Sequence, residues 1–192
     1  MGRKDLTAER TSEILVAFER CVIKYGLEAS LEQIAEEAGM TRSIIRHYIG
    51  NRDEVVRQLI ESITTQFLAQ LRTASNRLSS PERVLEDTLN YLFSGNQTVE
   101  EWEKPIIQVL MSARERYPEA KRQLKQMFEE LLNMLAHDLA QIHPQNSASR
   151  YHQVAYSILC LTMMNNSFME LGMERTYNTI ARQQAEILIS TL

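Results

Sequence analysis

Between Thr41 and Arg52 the chain carries Arg42, Arg46 and Arg52, with His47 beside them, and no carboxylate. Acids stand on both sides of this window, at Glu36, Glu37, Asp53 and Glu54. The protein as a whole is acidic, with 21 Lys and Arg against 25 Asp and Glu and a net charge of −4. In such a chain, twelve residues free of acids suit contact with a polyanion. A carboxylate entering a duplex groove is repelled by both rows of phosphates. Three arginines in this span also fit a plain solvated basic face, so the elements that carry them decide between the two.

Other chemistries find little material. None of the four histidines (His47, His137, His143, His152) has a Glu three residues before it, the pairing that a di-iron helical bundle needs. No glycine-rich phosphate loop, paired cysteines for zinc or nucleophile elbow is present. Cys21 and Cys160 are isolated in apolar helical patterns and are expected to be buried and reduced, without a disulfide. Neither an enzyme nor a bound metal or cofactor is expected.

A chain of 192 residues with 44% hydrophobic and 24% charged residues has ample apolar material for a core. With six Gly, four Pro and few β-branched runs, an all-α fold is expected. The longest apolar run, near "ILCLTMM", is too short to span a bilayer. The polar start "MGRKDLTAERTSE" lacks a signal-peptide core, and Leu6 stands where myristoylation wants Ser or Thr. A cytoplasmic location is expected, with no membrane partner.

Ile14, Phe18, Cys21 and Tyr25 recur at helical spacing from Thr11 onward, and Gly26 suits the stop. Ser30 with Gln33 has capping-box spacing for a short second helix ending near Gly39. Thr41 is an N-cap for a third helix, with Ile45, Tyr48 and Ile49 on its inner side. Arg42, Ser43, Arg46 and His47 then lie largely outward. From Asn51 and Asp53 a long helix, striped by Val56, Leu59, Ile63, Phe67 and Leu71, makes a rod of roughly 35 Å. Arg52 sits at its positive end, unfavourable for the helix but placed to hold a phosphate. The expected domains are a helix-turn-helix head over 1–52 and a helical body over 53–192. In the body, helices are expected from Pro81, across "VEEWEKPIIQVLMSARERY" with an irregularity at Pro105, and from Pro118 to about Gln141. Two more are expected over about 150–171 and 176–191.

Two short helices about Gly39-Met40-Thr41, the second basic on its outer side, match a helix-turn-helix and favour DNA over the plain solvated face. Residues 10–56, "RTSEILVAFERCVIKYGLEASLEQIAEEAGMTRSIIRHYIGNRDEVV", resemble the N-terminal signature of TetR-family transcriptional regulators. The carrying pieces are "KYG", "LEQIAEEAGMTRS", an aromatic late in the third helix, and "NRDEV". The resemblance implies a homodimer, a repressor that binds a pseudo-palindromic operator on double-stranded DNA. It also implies release of that operator when an unidentified small-molecule effector occupies the C-terminal domain. By position, Arg42, Ser43 and Ile44 fall where the family reads base edges. Arg46, His47, Tyr48 and Arg52 fall where it contacts phosphates and nearby bases, while Ser30 and Thr41 face the backbone from helix starts. Arg42 suits a bidentate guanine contact and Ile44 a thymine methyl. Family members commonly carry an aromatic in place of Arg46 and Phe in place of Ile49. Glu32 is an acid on a side that can approach DNA, and nothing in the sequence explains it. Three Arg per half predict about six neutralised phosphates per operator and a log–log salt slope of roughly −5. The two recognition helices are expected about 34–36 Å apart, or a multiple of it.

The helix over 150–171 shows two apolar stripes, Val154, Ile158, Leu161, Phe168 and Ala155, Leu159, Thr162, Met169. One suits the core and the second a partner copy, although a helix buried centrally reads the same way. Tyr177, Ile180, Ala181, Ile187 and Leu188 of the last helix are expected to complete a four-helix dimer interface, as the resemblance implies. For an effector pocket the candidates are Tyr91, Trp102, Met111, Met127, Met134, Tyr156, Met163, Asn166 and Phe168, though each also fits ordinary core. Asn165 and Asn166, amides in an apolar helix, need partners: a ligand, a dimer mate or a backbone carbonyl. A ligand-independent helix-turn-helix activator or a chromosome-binding adaptor remains the alternative function.

Overall fold

The computed structural model describes residues 3–77, 80–93, 110–111 and 114–192. Among these residues all regular structure is helical, as expected. The helices are α1 (Arg3–Tyr25), α2 (Leu31–Glu37), α3 (Arg42–Tyr48), α4 (Arg52–Arg77), α5 (Pro81–Phe93), α6 (Pro118–Ile142), α7 (Ala148–Glu170) and α8 (Thr176–Ile189). The expected Pro105 irregularity and Trp102 lie outside the described residues.

Two compact units form: Met1–Phe67 with Glu101–Gln126, and Leu68–Glu100 with Met127–Leu192. The expected division at residue 52 therefore differs from the structural one. The first turns of α4, with Val55, Val56, Leu59 and Ile60 fully buried, belong to the first unit.

In the first unit α1, α2 and α3 pack on one another around Ile14, Phe18, Ile34 and Ile45, none of them exposed. The buried face of α1 also takes Ala17 and Val22. Tyr25, expected inward, is exposed. Tyr25 keeps the helical angle of Ile14, but it is the last residue of α1, and the chain turns at Gly26 (φ +68°) directly after it. Both halves of the Ser30–Gln33 capping box form, at 3.2 and 2.7 Å. Gly39, at φ +61°, closes α2, and the Met40 amide donates to the Ala35 carbonyl at 2.8 Å, satisfying a carbonyl the helix leaves open. Thr41 caps α3 by accepting from the Ile44 amide at 3.4 Å.

A second reciprocal cap opens α4. The Asn51 amide donates to the Glu54 carboxylate at 2.6 Å, and the Glu54 amide donates to the Asn51 side chain at 3.1 Å. Gly50 before it sits at φ +106°, where a Cβ would lie 1.9 Å from that same carboxylate. Gly50→Ala should therefore cost roughly 1–3 kcal/mol through strain and a displaced cap. Urea denaturation followed by circular dichroism should show the loss, and an unchanged midpoint would remove the strain assigned here.

In the second unit α8 packs on α7 and α5. Val84, Leu85, Leu89, Leu92 and Phe93 of α5 are buried, as are Leu131, Leu135 and Leu139 of α6. On α7 the buried side chains are Tyr151, Val154, Ala155, Ile158, Leu159, Thr162 and Asn165. Both expected α7 stripes thus supply core over their first three turns, since neighbouring stripes share one broad inward face.

Candidate nucleic-acid interface

Seven residues of α3, held between the Thr41 cap and Gly50, present the basic window. Ile45 and Ile49 are buried and anchor the helix. Thr41, Arg42, Ser43, Ile44, Arg46 and His47 are all exposed, and Tyr48 is half-buried. The His47 and Tyr48 rings meet edge to face, centroids 5.1 Å apart. Thr41 and Ser43 hydroxyls share a hydrogen bond of 2.8 Å. Ser30 is half-buried and its hydroxyl is committed to its own cap. One continuous surface on α3 thus gathers an apolar tip at Ile44, two guanidinium groups and an imidazole.

The flanking acid Glu37 is drawn toward α1. Lys24 donates to it at 2.9 Å and Arg20 lies 3.7 Å away. The Lys24 hydrogen bond holds the Glu37 carboxyl below its ordinary range and the Lys24 ammonium above its own. Nearby, burial first and Glu37 second push the Cys21 thiol up. Cys21 is buried as expected. Cys160 is exposed, contrary to expectation, because its stripe on α7 faces away from the core.

Arg52 also corrects the sequence reading. Its side chain is only 22% exposed. Nε donates to the Ala29 carbonyl at 3.1 Å and Nη1 to the Tyr117 hydroxyl at 3.4 Å, with the Glu28 carboxylate 3.6 Å from Nη2. Arg116 also pairs with Glu28, and the Tyr117 hydroxyl donates to Asp53 at 3.5 Å. The cation placed to reach outward is instead turned onto the unit's own carbonyl and carboxylate, because α4 begins beside the Gly26–Glu28 turn. Folding alone brings this cluster together, since Glu28 and Arg116 are 88 residues apart. Beside it lies a cleft of about 430 Å³ lined by Asp53, Arg57, Ile60, Arg116, Tyr117 and Glu119, among others. None of the effector candidates lines it.

Arg42, by contrast, is 53% exposed and pairs with Glu32 at 2.5 Å. Arg46 has no ion-pair partner among the described residues.

The effector candidates are not gathered around one described cavity. Met127 is fully buried core, while Tyr91, Met111, Met134, Met163 and Asn166 are half-buried. Tyr156 and Phe168 lie on the outside of the second unit, 62% and 40% exposed. They form a stripe with Met164 and Leu171, and a hydrogen bond with Cys160 pushes the Tyr156 phenol up. The exposed α7 stripe therefore runs through these residues; of the two read from sequence, only Phe168 reaches it. On α8, Tyr177, Ile180 and Ile187 are exposed as expected, whereas Ala181 is buried. Asn165 finds its partner inside the unit: its amide donates to Asn178 at 2.6 Å, and Asn178 donates to the Phe93 carbonyl at the end of α5. Among the described residues no cluster of His, Cys, Asp and Glu could hold a metal ion, and no helix is long and apolar enough to cross a membrane.

No protein-family model matches the chain. A curated relative, the HTH-type transcriptional regulator PksA of Bacillus subtilis, is 28% identical over 97 residues, spanning 50% of this chain and 47% of that protein. Solved structures match nearly end to end. A TetR transcription regulator from Haloarcula marismortui aligns with a TM-score of 0.81 at 17% identity, covering 96% of this chain and 98% of the other. A TetR-family regulator from Agrobacterium tumefaciens gives 0.78 at 15%, covering 94% and 97%. A TetR regulator from Legionella pneumophila gives 0.74 at 18%, covering 91% and 94%.

Proposed function

We infer that the chain, which has the fold of the TetR-family transcriptional regulators, is a DNA-binding regulator of transcription rather than an enzyme. It acts as a repressor, binding a pseudo-palindromic operator as a homodimer and leaving it when a small molecule occupies the second unit. One observation carries the DNA-binding step. The exposed face of α3 presents Arg42, Ser43, Ile44, Arg46 and His47 from a capped helix-turn-helix, with no carboxylate between Thr41 and Arg52. Arg42 and Ile44 read base edges, while Arg46 and His47 meet phosphate.

The homodimer is supported by the outward apolar stripes of α7 and α8 in the second unit, which exceed what a lone surface helix needs. Effector release rests on the fold alone, and the half-buried Met134, Met163 and Asn166 are the first positions to probe for it.

Selection of bound fragments from a random duplex pool tests the DNA-binding step, and enrichment of a two-fold symmetric sequence is the expected result. The structure also revises the expected salt dependence. With Arg42 ion-paired and Arg52 turned inward, Arg46 and His47 carry most phosphate contact. With Arg46 the remaining free cation of each half's window at pH 7 among the described residues, about two neutralised phosphates per dimer give a slope near −1.8 rather than −5. Titrations over a range of salt check this. Retention of no fragment, or binding indifferent to salt, would end the proposal.

A further inference from the structure

Glu32 is the acid that the DNA-facing surface has no evident reason to carry, and the structure places it against the residue best suited to read a base. Glu32 lies in the first turn of α2 and Arg42 opens α3. Their charged groups meet at 2.5 Å although both side chains are more than half exposed, 59% and 53%. A carboxylate is favoured at the positive end of α2, whereas a guanidinium at the positive end of α3 is not. Pairing offsets that penalty and brings the two helices' first turns into register. A guanidinium has five N–H donors, so one edge can stay with Glu32 while the other faces outward.

The geometry points to Glu32 as a positioning residue that sharpens base discrimination by Arg42. This rests on the DNA-binding reading above and deepens it. Glu32 acts in two ways. It confines a long side chain to one direction, so less rotamer freedom is lost when a guanine N7/O6 edge is met. It also cancels the charge of Arg42, so that this arginine contributes little to sequence-blind attraction by phosphate. Specificity is a difference between two affinities, and weakening the wrong complex raises it as surely as strengthening the right one.

The test compares the full chain with Glu32→Gln, Arg42→Ala and the double variant. Each is titrated with the selected fragment, a scrambled duplex of the same length, and fragments changed one base pair at a time. Glu32→Gln should bind the scrambled duplex about tenfold more tightly and lose about tenfold in the ratio of selected to scrambled binding. Freeing one Arg per half, two per dimer, should steepen the salt slope on scrambled duplex by about 1.8. The loss of preference should fall at the same base pair that Arg42→Ala affects. In the Arg42→Ala background the Gln substitution should leave base preference unchanged. The Tm should move by less than about 2 °C, since an exposed pair contributes little to folding.

An unchanged ratio in Glu32→Gln overturns the inference while the DNA-binding reading stands. So does a shift in base preference that persists without Arg42, since Glu32 then touches a base itself. A wild-type chain that retains no duplex overturns that reading, and this inference with it.

Discussion

Arg42→Ala should weaken binding to the selected operator by about thirtyfold or more while changing affinity for scrambled duplex only slightly. A bidentate arginine–guanine contact discriminates by about 1–3 kcal/mol, and a dimer makes it twice, so about 2–6 kcal/mol is at stake. Its pull on phosphate is already reduced by Glu32 at 2.5 Å. Arg52→Ala is the informative contrast. That side chain supports the Ala29 carbonyl and reaches Tyr117 and Glu28, so its loss should reduce both kinds of binding alike. It should also lower stability by about 1–2 kcal/mol, through a carbonyl left without its donor. Fluorescence anisotropy on both duplexes and a urea titration separate the two variants. Equal losses of specific and scrambled binding in both would take base reading away from Arg42.

What could be read from the chain divides along the range of the forces involved. Caps are local: Ser30 with Gln33 and Thr41 before α3 follow from side chains three residues from their amides, and both form. Burial of Ile45 and Ile49 follows from period alone. The Asn51–Glu54 cap is equally local and follows from "NRDE" by the same rule. Arg52 could not, because its orientation is set by Ala29, Glu28 and Tyr117, brought close only by folding. In the body the limit is different. Along α7 apolar residues lie on nearly every side, so periodicity marks no single inward face. Only packing shows that Val154 and Ala155 share the core while Tyr156, Met164 and Leu171 stay outside. Asn165 followed the general rule that a buried amide has a partner, and the partner, Asn178, is supplied by the neighbouring helix.

Phe168→Asp combined with Ile180→Asp should convert the proposed dimer to monomer without unfolding it. Both residues are already exposed, 40% and 48%, and neither is part of the buried core, so new charges there can reach water in a single copy. In a two-fold interface each substitution counts twice, placing four carboxylates where apolar surface was to be buried. Leaving even part of that charge desolvated should cost about 4 kcal/mol or more, roughly a thousandfold in the dimer dissociation constant. Operator binding should fall by at least a hundredfold, because one recognition helix can no longer hold the second half-site in place. Weak binding to scrambled duplex should persist, since the first unit is untouched. Sedimentation at micromolar concentration reads the association state, and circular dichroism verifies the fold. A folded variant that still sediments as a dimer would show that the stripes of α7 and α8 are not the contact between copies. The two-fold symmetry of the operator would then need another origin.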